Sequence, residues 1–205
     1  MTGIPSLRAL AVAFAALLAT GSAASAADRS VKDWQFQGAG KELKSGATYK
    51  MYNVTAKNAV RYGSRDWGIN LVWDQKAAQN VKLVAQGNAT GAIKYGDKVA
   101  IHVDKGGYLK YQKRDYGINL VWSKTPVYEF TITGGTKGTV VPVGATVALY
   151  NSVEKDFVIN ADRPVGIGLR WYKDRDKGGL LAAVKSTAKD LVKEGLKELA
   201  DEFSK

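Results

Sequence analysis

The sequence predicts an all-β fold made of three copies of a four-strand unit, followed by a C-terminal amphipathic α-helix. Three observations carry that prediction. The nonapeptide RDWGINLVW at Arg65 returns as RDYGINLVW at Arg114, 49 positions on, and as RPVGIGLRW at Arg163 after another 49. Between the copies Val, Ile, Tyr, Trp and Gly dominate, and short apolar alternations are separated by turn residues at regular intervals, as β-strands require. From Gly179 onward the apolar period changes from that of a strand to that of a helix.

Each unit reads strand by strand. It opens with a short apolar segment, WQF at Trp34, VKL at Val81 and YEF at Tyr128, spaced by 47 and 47 residues. A glycine turn follows, then a strand with apolar residues on alternate positions: TYKMYN from Thr48, KVAIHV from Lys98 and TVALYN from Thr146. A tight turn leads to AVRY at Ala59, YLKY at Tyr108 and FVIN at Phe157, and the GINLVW strand closes the unit, giving 12 strands in all. Along that last strand Ile69, Leu71 and Trp73 share one parity, as do Ile118, Leu120 and Trp122, and Ile167, Leu169 and Trp171. Arginine is costly to bury unpaired, so Arg170 on the other parity marks that face as outward and turns the three tryptophans inward. They are expected at matching heights in a shared core, each worth about 3–5 kcal/mol on truncation to alanine.

Other architectures with this period fit less well. Helical repeats need 3.6-residue apolar spacing, which no stretch inside the units keeps, and a propeller usually needs at least four blades. Three units of four strands over residues 33–172 resemble the β-trefoil superfamily, which has six barrel strands and three capping hairpins around a pseudo-threefold axis. A three-sided β-prism is the competing architecture. Within trefoils the likeness to ricin-type lectins is incomplete: where their Gln-x-Trp signature should fall, this chain has Trp34, Val81 and Tyr128, so no ricin-type site residue carries over. The resemblance to fascin-like and growth-factor-like trefoils is architectural.

The termini set the domain plan. Residues 1–26 read as a secretory signal peptide: one positive charge at Arg8, a short apolar run, then Ala24-Ser25-Ala26 as a cleavage site. That run is shorter than the roughly 20 residues of a bilayer span, so the protein is expected to be secreted or periplasmic. The β-domain is assigned to residues 27–177 and the helix to 178–205. The helix places Leu180, Val184, Leu191, Leu196, Leu199 and Phe203 on one side and Lys189, Lys193 and Lys197 on the other. Docking on its own domain, self-association and contact with a membrane surface are the three uses open to it. Cysteine is absent, so neither disulfides nor thiolate metal sites hold the fold. Of the charged residues, 24 basic and 14 acidic ones fall in 27–179, a surplus of 10 that favours anionic partners.

Chemistry concentrates in the repeated turn. The third copy keeps Gly166 but loses the acid, the aromatic and the asparagine, so the turn does not demand them. Arg65, Asp66, Trp67 and Asn70, with Arg114, Asp115, Tyr116 and Asn119, form two sets suited to a sugar. Asp and Asn hydrogen-bond paired hydroxyls, an aromatic ring covers a pyranose face, and arginine pairs with carboxylate or sulfate. Two such sites imply avidity on a multivalent surface. The competing reading is that the acids cap their turns and pair with the arginines. His102, mid-strand in KVAIHV, is the one histidine, and no nucleophile elbow, metal-ligand spacing or phosphate loop is present, so the chain is read as a non-enzyme with no cofactor. No nucleic-acid-binding motif accompanies the charge. NVT at Asn53 and NAT at Asn88 are glycosylation acceptors if the secretory pathway is eukaryotic. The leading expectation is a lectin-like binding module for carbohydrate or another anionic cell-surface ligand. The alternative is a toxin-like or envelope-interaction protein that also uses its helix on a membrane or partner.

Overall fold

Alternating apolar residues become strands only where a neighbouring strand takes up their backbone groups, and in this chain the repeats supply those neighbours to one another. The computed structural model describes residues 31–66, 68–114, 117–161, 163 and 166–176, so the expected signal peptide and C-terminal helix lie outside the described residues. The first unit forms β1 (Trp34–Gln37), β2 (Thr48–Asn53), β3 (Asn58–Tyr62) and β4 (Leu71–Asp74). The second forms β5 (Val81–Ala85), β6 (Lys98–Val103), β7 (Gly107–Tyr111) and β8 (Leu120–Ser123). The third forms β9 (Phe130–Thr133), β10 (Thr146–Asn151), β11 (Asp156–Asn160) and β12 (Leu169–Trp171), followed by a 3-10 turn at Tyr172–Asp174.

All ladders are antiparallel. Pairing runs β1 to β2, β2 to β5, β5 to β6, β6 to β9, β9 to β10 and β10 back to β1, which closes a six-strand barrel without a free edge. The remaining two strands of each unit make a hairpin that continues from the unit's second barrel strand: β3–β4 on β2, β7–β8 on β6 and β11–β12 on β10. At the Gln37–Thr48 end the barrel is cinched by a ring of three backbone hydrogen bonds. Leu43 N–H donates to Val141 O (2.8 Å), Val141 N–H to Ile93 O (2.9 Å) and Ile93 N–H to Leu43 O (2.8 Å). The hairpins leave from the opposite end.

Register corrects one expectation. Trp34 pairs with Asn53, Val81 with Val103 and Phe130 with Asn151, so the third unit opens at Phe130 and not at Tyr128. A slip of two residues preserves the inside–outside alternation and is invisible to it. Backbone contacts outside the ladders decide: the carbonyls of Asp33, Asn80 and Glu129 accept from the N–H groups of Val54, Asp104 and Ser152 at 2.8, 2.9 and 2.8 Å.

The core is layered by the same symmetry. Val60, Leu109 and Val158 form one set, Leu71, Leu120 and Leu169 a second, and Met51, Ile101 and Leu149 a third; with Trp34 and Phe130 they enclose an apolar cavity of about 10 Å³. With no polar wall it stays dry. The three repeat tryptophans do sit at matching heights, opposite Val60, Leu109 and Val158. Only Trp171 is buried, however; Trp73 and Trp122 are half-buried and pack against the outside of the core cluster. Two of them lie at seams between units: Trp122 meets Tyr62 of the first unit at 6.1 Å between ring centroids and Trp171 meets Tyr111 of the second at 5.9 Å, whereas Trp73 stacks on Trp34 of its own unit at 6.2 Å. The centre belongs to Trp34.

Arg170 also departs from expectation, because it is 8% exposed and so does not mark an outward face. Arg170 stands opposite Ile159 across the hairpin, and Ile159 is buried as well, so this face is covered rather than open to solvent.

Trp122 explains one glycine of the second unit. A β-carbon on Gly106 would stand 2.6–2.8 Å from the indole ring, which is itself wedged against Tyr62. Gly106→Ala is therefore expected to lower stability by about 2 kcal/mol and displace the indole. Chemical denaturation together with near-UV circular dichroism checks both effects.

Candidate functional site

The two RD[W/Y]G segments and the RPVG of the third copy connect the paired strands of the three hairpins as their tips. Gly68, Gly117 and Gly166 have φ of 86°, 79° and 96°, the left-handed region where a side chain is strained, so the glycine is a backbone requirement in all three copies. The next residue, Ile69, Ile118 or Ile167, is buried under the tip. Its carbonyl accepts from the N–H two residues on, at 2.7, 2.7 and 2.6 Å, a tight three-residue turn that aims each strand back along its partner.

The first two tips touch. A β-carbon on Gly117 would stand 3.5 Å from the Gly68 Cα, which is ordinary van der Waals contact. Arg114 spans the junction: Nη1 donates to Leu120 O in its own hairpin (3.1 Å) and Nη2 to Gly68 O in the neighbouring one (3.4 Å). Arg163 repeats the first bond, with Nη1 to Leu169 O at 2.9 Å. Burial, and then the nearby charge of Arg170, hold the Arg163 guanidinium below its usual pKa. Arg65 occupies the equivalent position in the first unit, half-buried, and makes no such bond among the described residues. Asp66 beside it is exposed. Trp67, Asp115 and Tyr116 lie outside the described residues.

The asparagines have duties inside their hairpins. Asn70 Nδ2 donates to the Tyr62 hydroxyl at 3.2 Å, and Asn119 accepts the Arg114 backbone N–H through Oδ1 at 3.1 Å while its side chain bonds Tyr111. In the third unit both members of the pair change together: Asn160 replaces the tyrosine and Gly168 the asparagine. A β-carbon at Gly168 would lie 2.8 Å from Asn160 Oδ1, so the smaller pair fills the same space. The loss of asparagine from the third copy thus follows the loss of tyrosine. Tyr111 also bonds Glu154, which raises the phenol's pKa. Burial pushes the Glu154 carboxyl up, but hydrogen bonds from Lys173 and Tyr111 outweigh it, and the net shift is downward. The Glu154–Lys173 ion pair closes this cross-unit chain.

Elsewhere, His102 is half-buried and packs edge-on against Tyr108 at 4.8 Å. Asn53 of the NVT acceptor sequence is fully buried, with its amide given to Asp33 Oδ2 at 2.8 Å, so the folded protein offers it to no transferase. Among the described residues no three His, Asp or Glu side chains gather as a metal site, and no helix is long and apolar enough to cross a membrane. Set against protein-family models, curated proteins and solved structures, the chain matches none.

Proposed function

We propose that this chain is a secreted or periplasmic module of the β-trefoil type that binds an anionic glycan at the cell surface, without catalysis, through the tips of its first two hairpins. The closed six-strand barrel carrying three equivalent hairpins supports the trefoil reading over a prism. The observation that carries the binding reading is the meeting of the two tips, Gly68 against Gly117, at the end of the barrel from which the hairpins leave. The meeting brings the tip that carries Arg65 and Asp66 against the tip that carries Arg114, from distant parts of the chain. Arg65 contributes a guanidinium that serves no carbonyl among the described residues, unlike Arg114 and Arg163. The surplus of 10 positive charges over residues 27–179 draws anionic ligands to the surface, and arginine favours carboxylate or sulfate through its paired donors.

A glycan array probed with the protein and with a Trp67→Ala, Tyr116→Ala double variant tests this. Sulfated or uronic-acid glycans should be retained by the native protein and lost, by about tenfold or more in affinity, by the double variant at unchanged melting temperature. Undiminished binding by the double variant removes the tips as the site.

A further inference from the structure

We infer that the cinched end of the barrel, opposite the hairpins, is a docking face for an anionic phospholipid bilayer. The ring of three hydrogen bonds there joins three short extended segments, in which Glu42 lies opposite Pro142, Lys44 opposite Ala92 and Lys94 opposite Val140. Leu43, Ile93 and Val141, the middle residue of each segment, are buried and plug the barrel. Alternation along an extended chain therefore turns the flanking residues the other way, out of the barrel end. Lys44, Lys94, Val140 and Pro142 are exposed there, and Glu42 and Ala92 are half-buried.

This face combines charge with apolar surface. Partners across such a bridge have Cα atoms about 5 Å apart and residues two apart along a strand about 6.5 Å, so Lys44 and Lys94 stand within about 12 Å of each other. Lys137 extends the cationic surface: its stem lies across Gly96, where a β-carbon would meet Lys137 Cγ at 3.0 Å. Lys41 adjoins the ring, its carbonyl accepting the Val143 N–H at 3.1 Å. None of these four lysines forms an ion pair among the described residues. Two acids, Glu42 and Asp97, lie in the same loops, and Asp97 Oδ2 is taken by the Lys94 backbone N–H at 2.8 Å, so the positive surplus stands. Val140, an exposed large hydrophobic residue, sits across from Lys94 with exposed Pro142 two positions on. Lysine meets the phosphate of a lipid headgroup, and an apolar side chain beside it enters the boundary with the acyl chains, a partner that a soluble polyanion does not offer. The hairpins leave from the other end, so this contact is independent of glycan binding at the tips.

Co-sedimentation of the full chain with phosphatidylcholine vesicles, with and without about one-third phosphatidylglycerol, tests the inference. The mixed vesicles should carry the protein down and the neutral ones should not. Each lysine near an anionic leaflet contributes about fivefold, so a Lys44→Gln, Lys94→Gln double variant should bind about tenfold or more weakly at unchanged melting temperature. Mixed-vesicle binding indifferent to that pair, or equal sedimentation with both vesicles, overturns this face as the contact, as does no sedimentation at all. A Lys57→Asn, Lys105→Asn variant removes the same charge from the hairpin end and should stay within about twofold of the native protein. An equal loss there would show that net charge acts without regard to face, and would refute the assignment. Val140→Ser should weaken binding about threefold with its salt dependence retained. Unaltered affinity in that variant overturns the bilayer in favour of a purely ionic contact.

Discussion

Trp34→Ala is expected to cost about 4–5 kcal/mol, the largest loss of any tryptophan in the described fold. The side chain is fully buried, and its indole N–H donates to Val158 O at 2.6 Å, from the first unit to the third. It also walls the central cavity and stacks on Trp73. Truncation removes a large apolar surface, enlarges a void that cannot fill with water, and leaves a buried carbonyl without its donor, so the packing and hydrogen-bond penalties add. Domains of this size are stable by roughly 5–15 kcal/mol and lose about 2–4 °C of Tm per kcal/mol, so a fall of about 10 °C or more should appear in thermal melts. Trp34→Phe keeps a ring where the third unit has Phe130 and should cost about 1–2 kcal/mol, chiefly the lost hydrogen bond. Trp73→Ala should cost less than half as much as Trp34→Ala, because Trp73 is half-buried. A Trp34→Ala protein melting within 3 °C of the native one (about 1 kcal/mol) would deny Trp34 its central place.

Asp33→Ala is the second large effect, expected at about 3–5 kcal/mol. This carboxylate is 4% exposed and accepts from Asn53 Nδ2 (2.8 Å), Thr55 N–H (3.0 Å) and Asn160 N–H (2.6 Å). The last bond ties the first unit to the third. Glu129, at the equivalent position in the third unit, does the same for the second by accepting from the Tyr111 N–H. Alanine leaves three donors in a water-poor seam, each worth about 1–3 kcal/mol when orphaned, with partial relaxation bringing the sum down. Faster hydrogen exchange at the Thr55 and Asn160 amides should accompany the loss, since both lose their acceptor. If the variant stays within 1 kcal/mol of the native protein in urea titration, the seam is held by apolar packing instead.

These two residues show how the fold prepares its tips. Trp34 and Asp33 hold the seam between the first and third units, and Arg114 closes the junction between the first and second where the candidate site lies. Arg65 makes no hydrogen bond among the described residues, so Arg65→Ala is expected to leave the melt unchanged. Burial of apolar surface builds the barrel, and a few charge-assisted bonds set the spacing of its tips.

Much of the architecture was legible in the sequence. Alternation located the strands from Thr48, Lys98 and Thr146 to the residue, the 49-residue spacing of the RDWG, RDYG and RPVG segments gave three equivalent hairpins, and the retained glycine marked the turn in each. Such features are local, because side-chain direction along a strand and the steric demands of a turn depend on near neighbours. Depth and partnership were not legible. Alternation reports which face a residue occupies but not how far from the centre that face lies, so Trp73, Trp122 and Trp171 looked equal and Arg170 looked exposed. It is also blind to a shift of two, which hid the start of the third unit at Phe130. Asn70 and Asn119 read as free ligand donors until the hairpin brought Tyr62 and Tyr111 across to them. By itself the sequence determined an all-β chain of three four-strand units with a glycine at each tip. Only the tertiary structure decided that Trp34 stands at the centre and that two tips meet, because both depend on contacts between residues far apart in the chain, which no local pattern encodes.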